Sequence, residues 1–212
     1  MPIWMTGAQG TSDWLRERSG CLTASRMAAA LSFKKGGAES EERRKLKIAL
    51  VSERLTGLNT ETFVTDPMRF GLENEAAAKV RFEEISGELI TECGFALHDT
   101  IPHLGASPDA LVGEDAVLEV KVPTSATFTE WKVAGVVPPQ HIAQMLCQLA
   151  VTKRTAAWFF AFDPRVQYRE HQHFLRKFEP KPEEIAAVEE AARIFLQEVD
   201  ALFEQVTTGE VA

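Results

Sequence analysis

Apolar residues recur at steps of three and four near the end of the chain, at Ile185, Val188, Ala192, Phe195, Val199, Leu202 and Val206. That spacing draws one apolar stripe along a helix and predicts a long amphipathic helix over 180–208 with an acidic outer face. The clearest period of two falls at 117–122. There Leu118, Val120 and Val122 share one face of a predicted strand, and Val117, Glu119 and Lys121 share the other. Over 140–151 the period returns to helical. Ile142, Met145, Leu146 and Leu149 make an apolar face, and His141, Gln144 and Gln148 a polar one. Residues 156–162 form a short, aromatic, wholly apolar run, the pattern of a buried strand. Further helices are expected over 23–31, over 41–55 ending near Gly57, and over 70–86 stopped by Gly87. Strand character is expected at 89–97, 110–112 and 171–178. The order is helices, strands around a charged centre, then helix, strand, strand, helix. It predicts a single α/β domain over 1–212 with a mixed central sheet flanked by helices.

Composition supports an ordinary globular chain. Of 212 residues, 45% are hydrophobic and 25% charged, which excludes collagen-like, disulfide-scaffold and disordered classes. The longest apolar run is far below the roughly 20 residues that span a bilayer. The first residues lack a basic segment followed by an apolar one, so neither membrane nor secretion is expected. Cys21, Cys93 and Cys147 lie far apart, an odd count that fits a reducing cytoplasm.

The net charge of −8 argues, taken whole, against a polyanionic partner. Its distribution changes that. Residues 178–212 hold nine acids and two bases, whereas 16–47 hold nine bases and four acids. A near-neutral body with a basic N-terminal stretch can bind nucleic acid; the alternative is a solvated charged helix.

The candidate chemistry lies around the strand at 117–122. Glu119 and Lys121 stand on one face of an otherwise apolar strand, and Asp109 precedes Glu119 by ten residues. A hairpin would bring Asp109 beside Glu119. Opposed carboxylates raise each other's pKa unless a cation neutralises them, and a hard divalent ion such as Mg²⁺ suits oxygen ligands. Taken alone, Glu119 and Lys121 also read as an ion pair on the exposed side of an edge strand.

Pro108-Asp109, followed by Glu119-Val120-Lys121, resembles the signature of the PD-(D/E)xK nucleases. The flanking motifs narrow the resemblance. Residues 14–25 (Trp14 to Ser25), Phe70-Gly71 with Glu75, Ala106 to Asp109, Leu118 to Pro123, and His141 with Gln144 follow one another as in the lambda-exonuclease-like (YqaJ-type) phage recombination nucleases. The resemblance spans residues 14–165 and implies the restriction-endonuclease-like fold. It implies that Asp109, Glu119, the Val120 carbonyl and Glu75 serve the metal, Mg²⁺ with Mn²⁺ as a substitute. Lys121 then positions the attacking water and Gln144 supports it. Arg18, Ser25 and Ser107 become the pocket for a terminal 5′-phosphate, and Met68 an apolar wedge between strands. After Pro123 the chain reads Thr124-Ser125-Ala126-Thr127, without the arginine of the family prototype. The implied activity is 5′-to-3′ digestion of one strand of linear double-stranded DNA, leaving 3′ single-stranded tails for recombination by strand annealing. The implied setting is a ring-shaped homotrimer beside a phage single-strand annealing protein, in the cytoplasm of a bacterial host.

Alternatives within the fold are a structure-specific or restriction-like endonuclease, and outside catalysis a DNA-binding scaffold. Other chemistries are weaker. Gly105 to Asp109 lacks the closing glycine of a nucleophile elbow. Tyr168 is the only tyrosine, and Tyr168-Arg169 is thin support for a covalent nucleophile. His171 and His173 place two imidazoles on one face of the expected strand and could hold a metal, but no Cys or third His lies near in sequence. The absence of a Gly-rich phosphate loop leaves no expected use of ATP.

Overall fold

The computed structural model describes residues 1–7, 9–59 and 66–209. In chain order the elements are β1 (Ile3–Trp4), α1 (Ser12–Arg18), β2 (Leu22–Thr23), α2 (Met27–Ala30), α3 (Glu41–Thr56), α4 (Asp66–Ser86), β3 (Ile90–Thr91), β4 (Ala96–Leu97), β5 (Leu104–Ala106), β6 (Ala110–Val112), β7 (Ala116–Lys121), α5 (Ser125–Ala134), α6 (Pro139–Thr152), β8 (Ala156–Phe162), β9 (His173–Phe178) and α7 (Pro182–Thr208). The mixed α/β expectation holds, with the strands divided between two sheets. One has the order β3-β6-β7-β8-β9 and the other β1-β4-β5-β2.

The five-stranded sheet sets the architecture. β6 and β7 form an antiparallel hairpin, β7 and β8 pair in parallel, and β9 closes the edge antiparallel to β8. A parallel pair needs a crossover, which α5 and α6 provide. Both faces of this sheet are covered, which is why β8 is apolar throughout. Leu118, Val120, Phe160 and Phe162 pack with Ala78 and Phe82 of α4 on one face. Val117, Phe159 and Ala161 pack with Phe128 of α5 and with Met145 and Leu149 of α6 on the other. A third core joins α2, α3, α6 and α7 to the small sheet through Leu22, Leu50, Leu104, Cys147 and Phe195.

Local chemistry fixes the boundaries. Ser40 caps α3 by accepting the Arg43 N–H at 3.0 Å, and Gly57 ends it in the left-handed region at φ 70°. Thr124 caps α5 by accepting the Thr127 N–H. Arg154 holds the β6–β7 turn, donating to the carbonyls of Val112, Gly113 and Ala116 at 3.3, 2.9 and 2.7 Å. In the small sheet only glycine fits at position 105, because a Cβ there would sit 2.2 Å from Phe95 Cζ and 2.9 Å from the Ala96 carbonyl.

Several expectations need correction. The helix at 23–31 is in fact the end of β2, one 3-10 turn (Ala24–Arg26) and the single turn of α2. The strand at 89–97 divides into β3 and β4, which join different sheets. β9 begins at His173, so His171 belongs to the preceding 3-10 turn and the two imidazoles do not share a strand face. α1, α5, β1 and β5 had no clear signal, being short or polar. Part of the basic stretch is engaged within the fold. Arg43 donates to Glu198 of α7 at 2.7 and 2.9 Å, Lys47 to the same carboxylate at 3.0 Å, Arg54 pairs with Asp200, and Arg26 with the buried Glu53. Glu198 and Asp200 of α7 meet Arg43, Lys47 and Arg54 of α3 across a helix interface.

The Arg43 guanidinium, with Lys47 beside it, holds the Glu198 carboxyl down at about 2. A carboxyl depressed on folding stabilises fully above its unfolded value, near 4.5, and loses that contribution as pH falls toward 2. Glu198 is partly open to water, which limits the contribution to about 1 kcal/mol. We therefore expect Glu198→Gln to lower the melting temperature at pH 7. The gap from the unmodified protein should close between about pH 4.5 and pH 2 in thermal unfolding followed by circular dichroism. A gap that does not change with pH would exclude this linkage.

Candidate active site

The β6–β7 hairpin brings Asp109 to Glu119 as the sequence spacing requires. Ala110 pairs with Leu118, so Asp109 sits across from the following turn of the pleat. Its backbone N–H donates to the Leu118 carbonyl at 3.1 Å, and its carboxylate Oδ2 accepts the Val120 N–H at 2.6 Å. β7 is the middle strand of its sheet, not an edge, and Glu119 is 1% exposed. The exposed ion-pair reading therefore fails. Glu119 points to the α6 face, where Gln148 Nε2 donates to its Oε2 at 2.5 Å, while Oε1 is engaged by the Lys121 ammonium. Glu75 reaches the same cleft from α4 and is paired with Lys79 at 2.9 Å.

Glu75, Asp109, Val120 and Lys121 floor a cleft of about 440 Å³, with Glu119 buried beneath Lys121. Its walls are Gly71 and Leu72 of α4, Pro123 after β7, and Trp131 of α5. The electrostatics follow from crowding. Burial, then the charges of Glu119 and Glu75, push the Asp109 carboxyl well above its usual range against the opposing effects of Lys121 and the Val120 N–H. For Lys121, burial works to lower the pKa, but Glu119 and Asp109 outweigh it and hold the amine charged. His141 is pushed down to about 4 by burial and by the nearby Lys121 charge, so its ring is neutral.

The donor set is all oxygen and carries more negative charge than Lys121 neutralises, which fits a hard divalent cation. Among the described residues no three Asp, Glu, His or Cys side chains are grouped closely enough to hold a metal ion between them. Mg²⁺ does not need such a group, since it commonly keeps several waters and takes one or two carboxylates.

A cluster of polar side chains lies beside the cleft along the chain. Arg18 ends α1 with its guanidinium 4.0 Å from the Trp14 ring centroid and 3.4 Å from Ser107 Oγ, which also accepts from Trp14 Nε1 at 2.9 Å. β2 and β5 pair in parallel with Thr23 opposite Gly105, so Ser25 and Ser107, each two residues further on, leave the same end of the small sheet. Ser25 is exposed, with its hydroxyl 3.1 Å from that of Thr23. Ser107 and Asp109 are separated only by Pro108, so at most about 7 Å of chain joins this cluster to the cleft.

Gln144 lies on α6 one turn before Gln148, toward the Lys121 end of β7, and is half-buried without a hydrogen-bond partner among the described residues. Gln148, fully buried on Glu119, is the residue sequence reasoning passed over. Its signal was present: it stands four residues after Gln144 on the same polar face. Met68 falls in the first turn of α4, but its side chain lies outside the described residues.

Residues 13–155 match the model of the YqaJ-like viral recombinase domain. The chain belongs to that family. It is therefore a nuclease of the exodeoxyribonuclease class, in a family of phage-type recombination. Among solved structures, the alkaline exonuclease LHK-Exo of Laribacter hongkongensis is similar at 33% identity and TM-score 0.86, covering 94% of this chain and 97% of its own. The same enzyme in complex with dAMP superposes at TM-score 0.87, with the same identity and coverage. A phage-related exonuclease from Haemophilus somnus shares the fold at 12% identity and TM-score 0.66, over 88% of this chain and 96% of its own. No curated protein matches the chain by sequence. The YqaJ-like match contains every singled-out residue of the cleft and the cluster, from Arg18 to Gln144. No helix among the described residues is long and apolar enough to cross a membrane.

Gln148 fixes the Glu119 carboxylate, while its own Oε1 is buried without a partner. Gln148→Leu removes that unpartnered atom along with the bond to Glu119, two changes of opposite sign, each about 1–3 kcal/mol. Thermal stability should therefore shift little. Nuclease turnover should fall on the order of tenfold, because Glu119 is no longer held. Full turnover in the folded variant would show that Lys121 alone orients Glu119.

Proposed function

We propose that the protein is a Mg²⁺-dependent 5′-to-3′ exonuclease that digests one strand of linear double-stranded DNA from a 5′-phosphorylated end, leaving 3′ single-stranded tails for strand annealing. The observation that carries this reading is the adjacency of Ser107 and Asp109. A pocket for one phosphate and an acidic cleft for the next are built from a single segment of chain. Two neighbouring phosphates of one strand end meet that geometry, whereas an internal site has no terminal phosphate to place.

Asp109 and Glu119, with the Val120 carbonyl and Glu75, are the residues that would hold Mg²⁺. When bound, the ion supplies Lewis-acid polarisation of the scissile phosphate and lowers the pKa of a bound water. Arg18 and Ser107 bind the terminal phosphate, the guanidinium as a charged fork kept flat on Trp14 and the hydroxyl as a donor. Lys121, held by Glu119, keeps an ammonium at the cleft floor where negative charge accumulates as water attacks phosphorus and the bond to the 3′ oxygen breaks. Gln144, one turn from Gln148, supports the water or Lys121. The family resemblance extends the proposal to a ring-shaped homotrimer, to an annealing protein as partner, and to the cytoplasm of a bacterial host.

Digestion of linear duplex with a 5′-phosphate or a 5′-hydroxyl, and of circular duplex, tests the reading in the presence of Mg²⁺ or EDTA. Mononucleotide release is expected only with Mg²⁺ and only from linear DNA, fastest from the 5′-phosphate. Cleavage of closed circles would assign the site to an endonuclease instead. Asp109→Ala and Glu119→Ala should each abolish release while DNA binding persists. Arg18→Ala should shrink the preference for 5′-phosphate over 5′-hydroxyl by about ten- to a hundredfold, the value of a charge-assisted contact made only with the phosphate. Equal slowing of both substrates would make Arg18 a general backbone contact.

A further inference from the structure

The walls of the active-site cleft differ in chemistry from its floor. The floor carries Glu75, Asp109 and Lys121, and the walls are apolar, with Leu72 on α4 facing the cleft from one side and Trp131 on α5 from the other. Leu72 is 65% exposed, an unusual position for a leucine beside two carboxylates. Trp131 is only half-buried, yet its ring is fixed from behind. It meets the His141 ring edge-on at 5.2 Å and 83°, and the Phe159 ring at 5.7 Å and 65°. His141 in turn stacks on Phe159 at 5.3 Å, and its neutral state keeps this backing free of a second positive charge. An indole held by two aromatic rings and lining a cleft is a rigid apolar platform.

We propose that Trp131 and Leu72 hold the base of the nucleotide whose phosphodiester is being cut, as a platform that accepts any of the four bases. This rests on the cleft being the cleavage site. The sugar places a base a few ångströms outward from its phosphate, so a phosphate at the acidic floor puts its base between the apolar walls. Among the described residues the walls bring no charged or amide side chain to read a base edge, whereas every base has a face that stacks on an aromatic ring. Digestion along a strand of arbitrary sequence needs such a site.

The test is direct binding of dAMP, dTMP and 2-deoxyribose 5-phosphate in the presence of Mg²⁺, followed by Trp fluorescence and calorimetry. Both nucleotides should bind on the order of ten- to a hundredfold tighter than the sugar phosphate, in line with stacking of one base. dAMP and dTMP should differ from each other by much less. Trp131→Ala should collapse the gap and Trp131→Phe should keep most of it. Leu72→Ser, on an exposed helix surface, should narrow it severalfold in a protein of unchanged melting temperature. The proposal is overturned by any of three results. One is equal binding of nucleotide and sugar phosphate by the unmodified protein. Another is a gap that survives in folded Leu72→Ser and Trp131→Ala alike. The third is a hundredfold preference for one base, which would mean edge reading. If the base gap appears but linear duplex is not digested with Mg²⁺, the functional reading fails and the platform stands. If duplex is digested and the gap is absent, the platform alone fails.

Discussion

A carboxylate in the middle of a five-stranded sheet is the constraint on which the rest of this structure depends. Glu119 is 1% exposed on the central strand, where an unpaired charge would cost several kcal/mol. Each oxygen is therefore provided for, one by Lys121 two residues along the same face and the other by Gln148 from α6. Lys121 needs only the period of the strand. Gln148 needs α6 to lie across β7 in a fixed register, which the parallel β7–β8 pairing and its crossover set. Asp109 needs the β6–β7 hairpin in register, and Arg154 ties that turn through three backbone carbonyls. The charged centre and the packing of the large sheet are thus one problem with one solution.

That coupling decides what could be read in advance. Asp109, Glu119 and Lys121 were legible because their relation is local: a two-residue pleat and a short hairpin place them whatever surrounds the sheet. The long helices were legible too. The stripe of α7 and the amphipathic α6 repeat often enough to override any one position, and α3 has a serine cap and a closing glycine. The small sheet was not legible. Its strands are two or three residues long, below the length at which a period shows, and Gly105 is explained only by the Phe95 ring that covers it. The split of 89–97 is of the same kind, because a nine-residue stretch of strand character contains no mark saying that its ends belong to different sheets. Gln148 lay on a recognised polar face, but which glutamine of that face meets Glu119 depends on how α6 sits over β7, a tertiary fact.

Net charge misled for a similar reason. The bases at 16–47 and the acids of α7 look like two opposite surfaces when counted along the chain. In the fold Glu198 lies between Arg43 and Lys47, and Asp200 meets Arg54, so part of each run is spent on an internal interface. The cations that remain relevant to a phosphate are few and placed individually. Arg18 is 6% exposed and stacked on Trp14, and Lys121 is recessed at the cleft floor. Recognition of a strand end by such groups is a matter of geometry at two points, with little contribution from a broad attractive field. The acidic exterior that the α7 sequence promised is reduced accordingly, since Glu198 and Asp200 are among the acids that would have formed it.

The two-point geometry also bears on how the proposed reaction would repeat. If water attacks the scissile phosphorus and the 3′ oxygen leaves, the phosphate stays with the shortened strand and becomes its new 5′ end. The chemical group that the Arg18 and Ser107 pocket accepts is then regenerated by each cut, one chain segment away from where it was made. The strand has to advance by one nucleotide for that phosphate to pass from the Asp109 side to the Ser107 side. Pro108 keeps the spacing between the two sites short, since nothing but its ring and backbone separates them. A base held between Leu72 and Trp131 with no edge contacts would leave that advance equally easy for every sequence. A pocket for the product's own end group, a cleft for the next bond, and walls indifferent to base identity are mutually consistent requirements. The first two meet at the one segment, Ser107-Pro108-Asp109, that the small sheet delivers to the large one, and the walls come from the helices α4 and α5 on either side.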